Sequence, residues 1–165
     1  AVKATARAKP SKTTKALKPA KAAPRKPAVI APPPPPQLDP RGKSMEIVEA
    51  AKALAIELAR AASDDKCHQV VVLNVIGLSP VTDFIVLGTG TSSRQIRAVA
   101  ENLRTAGKEI GHRPLPGGEH ADNWMLVDFV DVVVHLFDPD ARSYYDLDSL
   151  WGDAPRIPWE RATSK

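Results

Sequence analysis

The order of apolar and polar residues predicts two amphipathic helices from residue 44 onward. Apolar residues recur every three or four positions over residues 44–62, which indicates a helix with Ser44 at its N-cap. Its expected buried residues are Ile47, Val48, Ala51, Leu54, Ala55, Leu58 and Ala62. A second helix is expected to begin at the capping-box sequence Ser92-Ser93-Arg94-Gln95 and to stop at Gly111. Its expected buried residues are Ile96, Val99, Ala100, Leu103 and Ile110.

Short apolar or alternating runs between and after these helices predict strands. The predicted strands are Val70–Val75, Asp83–Gly88, Trp124–Asp128 and Asp131–Phe137. Helices and strands that alternate in this way indicate an α/β domain with a small mixed β-sheet covered by helices. After the last strand, a break at Asp138–Asp140 leads to three aromatic residues, Tyr144, Tyr145 and Trp151, among carboxylates. Such aromatics either complete a core or anchor a partner, and the pattern leaves both roles open.

Charge divides the chain into two unlike parts. Residues 1–43 hold eleven Lys or Arg against one acidic residue, a net charge of +10, whereas residues 44–165 hold twelve against eighteen, a net charge of −6. The first part has no aromatic residue and ten of the sixteen prolines, so it is predicted to be a disordered basic extension. A folded domain at 44–155 and a tail at 156–165 follow. The extension suits an arm that binds RNA phosphates, but a solubilising tether or a targeting remnant fits its composition equally well.

The expected cellular location follows from three features that the sequence lacks: a membrane-spanning run, a secretory signal and a second cysteine. No apolar run approaches the roughly 20 residues of a membrane span, and no secretory signal precedes the domain. Cys67 is the single cysteine, which excludes an internal disulfide and a cysteine metal cluster and suits a reducing compartment. We therefore expect a cytoplasmic protein without metal or cofactor.

Two features raise the hypothesis of an enzyme. Glycines in the segment 88–93, between a strand and a helix, could bind phosphate through backbone N–H groups, although a strand exit followed by an N-cap explains them as well. Asp128 and Asp131 flank a turn, and converging carboxylates could hold a catalytic metal. They do not form a same-face pair of the nucleotidyltransferase kind, and His135, a candidate base, has no nucleophile assigned to it. A protein-facing acidic patch is the alternative interpretation.

Several separated blocks, in one order over residues 45–155, resemble the ribosomal silencing factor (Iojap) family. These blocks are Thr89-Gly90-Thr91-Ser92-Ser93-Arg94-Gln95-Ile96-Arg97-Ala98, Trp124-Met125-Leu126-Val127-Asp128, Asp131-Val132-Val133-Val134-His135-Leu136-Phe137, Arg142-Ser143-Tyr144-Tyr145-Asp146-Leu147 and Leu150-Trp151. The resemblance implies a nucleotidyltransferase-like core without the catalytic acids. It implies a binding protein rather than an enzyme. Such a protein binds the universal ribosomal protein number fourteen of the large subunit, blocks joining of the small subunit and lowers translation under nutrient limitation. The alternative is a cryptic or degenerate nucleotidyltransferase.

An acidic domain with exposed aromatics would suit a basic ribosomal partner, because opposite charges speed encounter and aromatics supply affinity. The residues predicted to contact that partner are Trp124, Asp128, Tyr144, Tyr145, Trp151, Asp83 and Arg94. The basic extension lies outside the resemblance and is a hypothetical rRNA contact. The sequence leaves open whether the chain forms a homodimer.

Two departures from the family pattern lie in loops. The turn between the last two predicted strands is Phe129-Val130, where the family usually has a glycine. Because a β-branched residue resists a positive φ, this hairpin is expected to use another turn type or an altered shape. The loop Pro114–Asn123 reads Gly117-Gly118-Glu119 instead of the family's Glu-Gly order, so its contacts are open.

Overall fold

The computed structural model describes residues 38–162, which form four helices and five strands. In chain order the elements are α1 (Met45–Asp64), β1 (His68–Asn74), β2 (Phe84–Thr89), α2 (Ser93–Glu109), β3 (Glu119–Ala121), β4 (Trp124–Asp128), β5 (Val132–Phe137), α3 (Pro139–Tyr145) and α4 (Leu147–Leu150). The five strands form one sheet in the order β1-β2-β5-β4-β3. The central pair β2 and β5 is parallel and the other pairs are antiparallel. The predicted mixed α/β fold is therefore confirmed.

Helices α1 and α2 cover one face of the sheet and bury the main hydrophobic core. The predicted buried stripes are confirmed at all positions but two. Ile47 is 49% exposed, because it lies at the edge of the buried stripe of α1. That stripe includes Ala59, which was not among the predicted buried residues. Ile110 is 52% exposed, because it is the C-cap of α2, where the chain leaves the helix. The residue buried near that end of the helix is Gly107.

The two helix starts differ in how they are capped. Ser92 accepts a hydrogen bond from the backbone N–H of Gln95 at 3.2 Å, as the capping-box sequence predicts. Ser44 is the N-cap of α1 but its side chain makes no capping hydrogen bond, so that part of the prediction is wrong. Gly111 follows the C-cap of α2 at φ +88°, the conformation that ends a helix.

A smaller core lies on the other face of the sheet, under α3 and α4. Helix α3 starts where Asp138 accepts a hydrogen bond from the N–H of Ala141 at 2.7 Å and Pro139 occupies the first turn. Asp146 ends α3 in the left-handed region, at φ +43°, and caps α4. The pattern of apolar residues did not predict these short helices or β3, because elements of three to seven residues show too few repeats of any period.

Both ends of the described chain pack on the domain. Residues 155–157 run antiparallel along the outer edge of β1, where the N–H of Asn74 donates to Pro155 at 2.9 Å and that of Ile157 donates to Val72 at 2.8 Å. This segment, which begins the predicted tail, covers a strand edge that would otherwise be open to pairing. Residues 38–43 precede α1 and ion-pair with the domain, whereas residues 1–37 of the predicted extension lie outside the described residues. Among the helices described, none is both long and apolar enough to cross a bilayer.

Candidate protein-docking site

Among the described residues, no helix covers the part of the sheet that β4 and β5 present on the side away from α1 and α2. Side chains of β4 and β5 alternate between the main core and this face, and those facing away from α1 and α2 are half-buried along most of both strands. We call this region the open face and define it as Trp124, Leu126, Asp128, Val133 and His135. Leu126 pairs with His135 and Asp128 with Val133 across the two strands, so the five side chains form one continuous surface.

An aromatic cluster forms the border between the open face and α3. The Trp124 ring lies 4.4 Å from that of Tyr145, 5.3 Å from Phe137 and 5.8 Å from His135, centroid to centroid. The Trp124 Nε1–H donates to Nδ1 of His135 at 3.3 Å. His135, the candidate base of the sequence analysis, therefore packs on the tryptophan and accepts its hydrogen bond, which is a structural role. Such stacked aromatics present a large, rigid apolar area at low entropic cost.

The two tyrosines of α3 extend this cluster into solvent. Tyr144 is 82% exposed and Tyr145 is 40% exposed, and their rings meet edge to face at 5.1 Å. Exposed tyrosines are well suited to a protein interface, since each combines an apolar ring with a polar tip. Of the residues predicted to bind a partner, Trp124, Tyr144 and Tyr145 are brought together here, with Asp128 at the far end of the same strand face.

The other three predicted contact residues lie elsewhere. Trp151 is half-buried and packs against the smaller core, so the structure supports its role in packing. Asp83 is completely buried and binds Arg41 and Lys43, which removes it from the accessible surface. Arg94 is exposed in the first turn of α2 and makes no ion pair with any residue between 38 and 162.

Asp128 shapes the turn that ends the open face. Its Oδ1 accepts a hydrogen bond from the N–H of Val130 at 2.7 Å, and the N–H of Asp131 donates to Phe129 O at 3.0 Å. Val130 itself lies at φ +73°, a strained conformation for a β-branched residue. The carboxylate of Asp128 and the adjacent strands hold the valine at the positive φ that a β-branched residue resists. The i→i+2 hydrogen bond from Asp131 to Phe129 differs from the turns usual in two-residue hairpins, so the expectation of another turn type agrees with the structure.

Arg142 is a structural residue of this region that the sequence patterns did not single out. It is 8% exposed, and its guanidinium pairs with both carboxylate oxygens of Asp148, Nε at 2.7 Å and Nη2 at 2.9 Å. It also donates to Thr89 Oγ1 at 3.1 Å and to the carbonyl of Gln69 at 3.2 Å. A planar donor with this geometry ties α3 and α4 to β1 and β2, and so positions Tyr144.

The loop before the open face is fixed by close backbone contacts. Gly118 accepts from the N–H of Leu126 at 2.8 Å, and a Cβ at this glycine would lie 2.1 Å from Leu126 O. Arg104 donates to the carbonyls of Gly117 and Leu126 at 3.0 and 3.3 Å. The Gly117-Gly118 order thus permits a tight approach of this loop to β4.

The segment 88–93 offers little to a phosphate. The N–H of Gly90 donates to Phe137 O at 2.7 Å, and the N–H of Thr91 donates to Gln95 Oε1 at 2.6 Å. With the Ser92 cap on Gln95, these donors are already used within the domain, so a strand exit and N-cap account for the segment.

The carboxylates of the hypothetical catalytic pair are also engaged. Asp128 holds the turn, and Asp131 binds Lys43. In the part of the chain that the structure describes, no three His, Cys, Asp or Glu side chains converge in a way that could hold a metal ion. Cys67 is buried, and burial raises the pKa of its thiol to about 11, which makes it a poor nucleophile at neutral pH.

Comparisons with known proteins agree with each other. A family model described as "Ribosomal silencing factor during starvation" matches residues 48–165. The ribosomal silencing factor RsfS of Halalkalibacterium halodurans is 44% identical over 112 residues, which cover 66% of this chain and 95% of that protein. A crystal structure of a protein from Chromobacterium violaceum is 34% identical with a TM-score of 0.56, covering 71% of this chain and 93% of that one. A mouse relative, "Mitochondrial assembly of ribosomal large subunit protein 1", is 34% identical over 91 residues, which cover 53% of this chain and 40% of that protein.

Proposed function

The chain belongs to the ribosomal silencing factor family, and on that basis we propose that it represses translation by binding the large ribosomal subunit. The family is one of regulatory proteins rather than enzymes. The binding partner on the subunit is its universal ribosomal protein number fourteen. A protein seated there keeps the small subunit from joining, and so lowers translation in the cytoplasm when nutrients are scarce.

The open face and its aromatic border support this partner. Tyr144 and Tyr145 are exposed next to a half-buried tryptophan, which is the composition of an interface hot spot. Asp128 at one end and Asp138, Asp140 and Asp146 around α3 add negative charge, within a domain that carries −6 over residues 44–165. Such a surface complements a basic ribosomal protein, since complementary charge favours encounter and orientation.

The fold supports a docking role for the domain as a whole. We propose that its core is of the nucleotidyltransferase type, with the position of a catalytic pair taken by residues that serve structure. Asp131 is neutralised by Lys43, and Asp128 holds a strained turn. Apart from Asp128 and His135, the outward side chains of β4 and β5 on the open face are apolar or aromatic, and this is the surface that a protein partner would cover.

Sedimentation with purified ribosomal subunits tests the proposal. The protein is expected to travel with large subunits and to diminish the peak of joined ribosomes when small subunits are added. Nucleotide turnover, or sedimentation with small subunits alone, would contradict it. Gradients of the protein by itself measure whether it is a monomer or a homodimer.

A pair of variants locates the site. Tyr144→Ala is expected to weaken large-subunit binding at least tenfold, since truncating an interface hot spot typically costs more than about 1.4 kcal/mol. Its stability should change little, because the ring is 82% exposed. Ile110→Ala is the matched control, an exposed apolar residue at the end of α2, and should bind as the parent does. Equal binding by the two variants would move the site away from the aromatic border.

A further inference from the structure

Exposed apolar side chains outside α3 and α4 are concentrated at one end of the domain. Eleven large hydrophobic residues are exposed between residues 38 and 162, and three of them, Tyr144, Tyr145 and Leu150, belong to α3 or α4. The other eight lie in four segments elsewhere in the chain. We call these eight residues the apolar end: Leu38, Met45, Ile47, Leu78, Val81, Ile110, Leu115 and Val130. Single exposed apolar residues are ordinary, but a group of this size marks an interaction surface when its members lie together.

Contacts between the four segments bring them together. Lys43 binds Asp83 and Asp131, so the start of α1 lies beside the starts of the parallel strands β2 and β5. The N–H of Asp83 also donates to Asp131 O at 3.0 Å. This hydrogen bond joins the segment that leads from Val81 into β2 to the turn that leads from Val130 into β5.

The end of α2 reaches the same end of the sheet. The N–H of Leu115 donates to Asp128 O at 2.7 Å, which fixes the loop after α2 to the end of β4. Gly107, near the end of α2, faces the ring of Phe129 in the turn between β4 and β5. Ile110 and Leu115 are therefore at the end of the domain where that turn lies.

The apolar end is large enough for one half of a dimer interface. A side chain of this size carries on the order of 100 Å² of apolar surface. At exposures between 38% and 79%, the eight side chains together present on the order of 400 Å². A standard interface takes about 800 Å² from each partner, and somewhat more than half of that area, about 450 Å², is apolar. The exposed apolar area at this end therefore matches what a stable dimer buries.

The exposed charges beside the apolar end have opposite signs on its two sides. Helix α1 packs mainly on β1 and β2 and α2 mainly on β4, so the start of α1 and the end of α2 lie on opposite sides. Residues 44–51 hold Glu46 and Glu49 and no cation, a net charge of −2. Residues 105–116 hold Lys108 and Arg113 against one glutamate, a net charge of +1. A two-fold axis through this end would bring the acidic side of one copy against the basic side of the other.

We propose that the apolar end binds a second copy of this chain and forms a two-fold symmetric homodimer. A contact between identical surfaces must be self-complementary, and the apolar centre with one acidic and one basic side meets that condition. A polyanion or a strongly basic protein would instead meet like charge on one of the two sides. Val81 and Val130 lead into the central strands β2 and β5, so they lie between the charged sides and nearest the axis.

The dimer leaves the aromatic border of the open face accessible. Strand β4 begins at Trp124, whose ring lies 4.4 Å from that of Tyr145, and it ends at Asp128, beside the apolar end. A strand of this length separates the two by about 13 Å. Dimerisation and the proposed ribosomal contact therefore use different surfaces, and either one can hold without the other.

Sedimentation velocity of the full chain, over concentrations from about 1 to about 100 μM, tests the proposal with no ribosome present. The sedimentation coefficient is expected to rise from that of a monomer to that of a dimer and then to stay constant, because a two-fold contact closes at two copies. A monomer at every concentration would overturn the proposal. Growth beyond a dimer would overturn it as well, since that requires an open, head-to-tail contact.

A pair of variants locates the dimer contact. Val81→Asp places two carboxylates close to the axis and is expected to weaken dimerisation roughly tenfold or more. Its melting temperature should not change, because Val81 is 79% exposed. Leu150→Asp is the matched control, since Leu150 is 68% exposed on α4, and it should dimerise as the parent does. Equal dimerisation by the two variants would overturn the proposed site. Loss of large-subunit binding by Val81→Asp with dimerisation unchanged would assign the apolar end to the ribosome instead.

Charge exchange tests the two-fold pairing. Glu46→Lys alone or Lys108→Glu alone puts like charges against each other and is expected to weaken dimerisation about threefold to tenfold. The double variant should recover the affinity of the parent, because the two charges are exchanged. Each change opposes its helix macrodipole, so the melting temperature should be lowest in the double variant. A dimer affinity that is also lowest in the double variant would overturn the pairing, as would single variants that dimerise like the parent.

Discussion

Replacing Gly107 by alanine is expected to destabilise the domain, although the same change at an exposed helical position would stabilise it. Gly107 lies inside α2, facing the turn that joins β4 to β5. A Cβ added there would lie 2.2 Å from Cε1 and 2.6 Å from Cζ of Phe129, well inside van der Waals contact. The Phe129 ring is 6% exposed and belongs to the main core, so it cannot move into solvent.

The magnitude follows from two opposing terms. Alanine in place of glycine favours the helical state by about 1 kcal/mol. Overpacking a filled core by one methyl group costs about 1–3 kcal/mol, and the two short contacts here place the cost at the upper end. We therefore expect a net loss of about 1–2 kcal/mol in the free energy of unfolding. In a Phe129→Leu background the added methyl group has room. The gain in helix propensity should then exceed the packing cost, and Gly107→Ala should stabilise the domain.

Urea unfolding of the four proteins in this cycle gives the coupling energy between residues 107 and 129. The expected coupling is about 2–3 kcal/mol, favouring the double variant over the sum of the single ones. Thr105→Ala, on the exposed side of α2, is the control for helix propensity and should be stabilising by a few tenths of a kcal/mol. Stabilisation by Gly107→Ala alone, or a coupling near zero, would refute the packing argument.

Three further outcomes are expected. Val130→Gly should stabilise by about 1 kcal/mol in urea unfolding, because it relieves a positive φ, whereas Val81→Gly, at an ordinary φ, should not. Stability should fall from about pH 8.5 to pH 11 in part through Cys67, whose raised pKa keeps the folded thiol protonated while the unfolded thiol ionises. The contribution of Cys67 to this loss of stability should be absent in Cys67→Ala. An identical dependence of stability on pH in that variant would contradict the prediction. Arg142→Gln should cost about 2–4 kcal/mol, against less than about 0.5 for the surface cation in Arg97→Gln; equal losses would refute its anchoring role.

Long periodic segments of the sequence predicted most of the fold. The stripes of α1 and α2 and the four longer strands were placed to within two or three residues, because repeated burial imposes a period that the residue order records. Ile47 and Ile110 were assigned to the core although they lie at a stripe edge and at a helix end. Each step of one residue along a helix turns the side-chain direction by about 100°. At a stripe edge or a helix end, periodicity alone therefore cannot decide whether a residue is buried.

The candidate site was predicted in its residue types but not in its arrangement. Tyr144, Tyr145 and Trp124 were named from the sequence, and the structure packs them together at one border of the open face. Asp83 was named with them, but it is buried and pairs with Arg41 and Lys43. The sequence did not reveal this pairing, because those two residues lie some 40 positions earlier in the chain. Arg142 was not singled out, since its contacts with Thr89 and Asp148 exist only after β2 and α3 have packed.

The sequence by itself determined the division of charge, the helices and strands of the domain, and its family, because each is written in local composition, period or ordered motifs. Only the tertiary structure decided which acidic residues are free to meet a partner. Asp83, Asp128 and Asp131 look alike in the chain, yet one is buried with two cations, one holds a strained turn and one pairs with Lys43. The reason is that burial and pairing depend on distances between residues far apart in sequence, which no local pattern encodes.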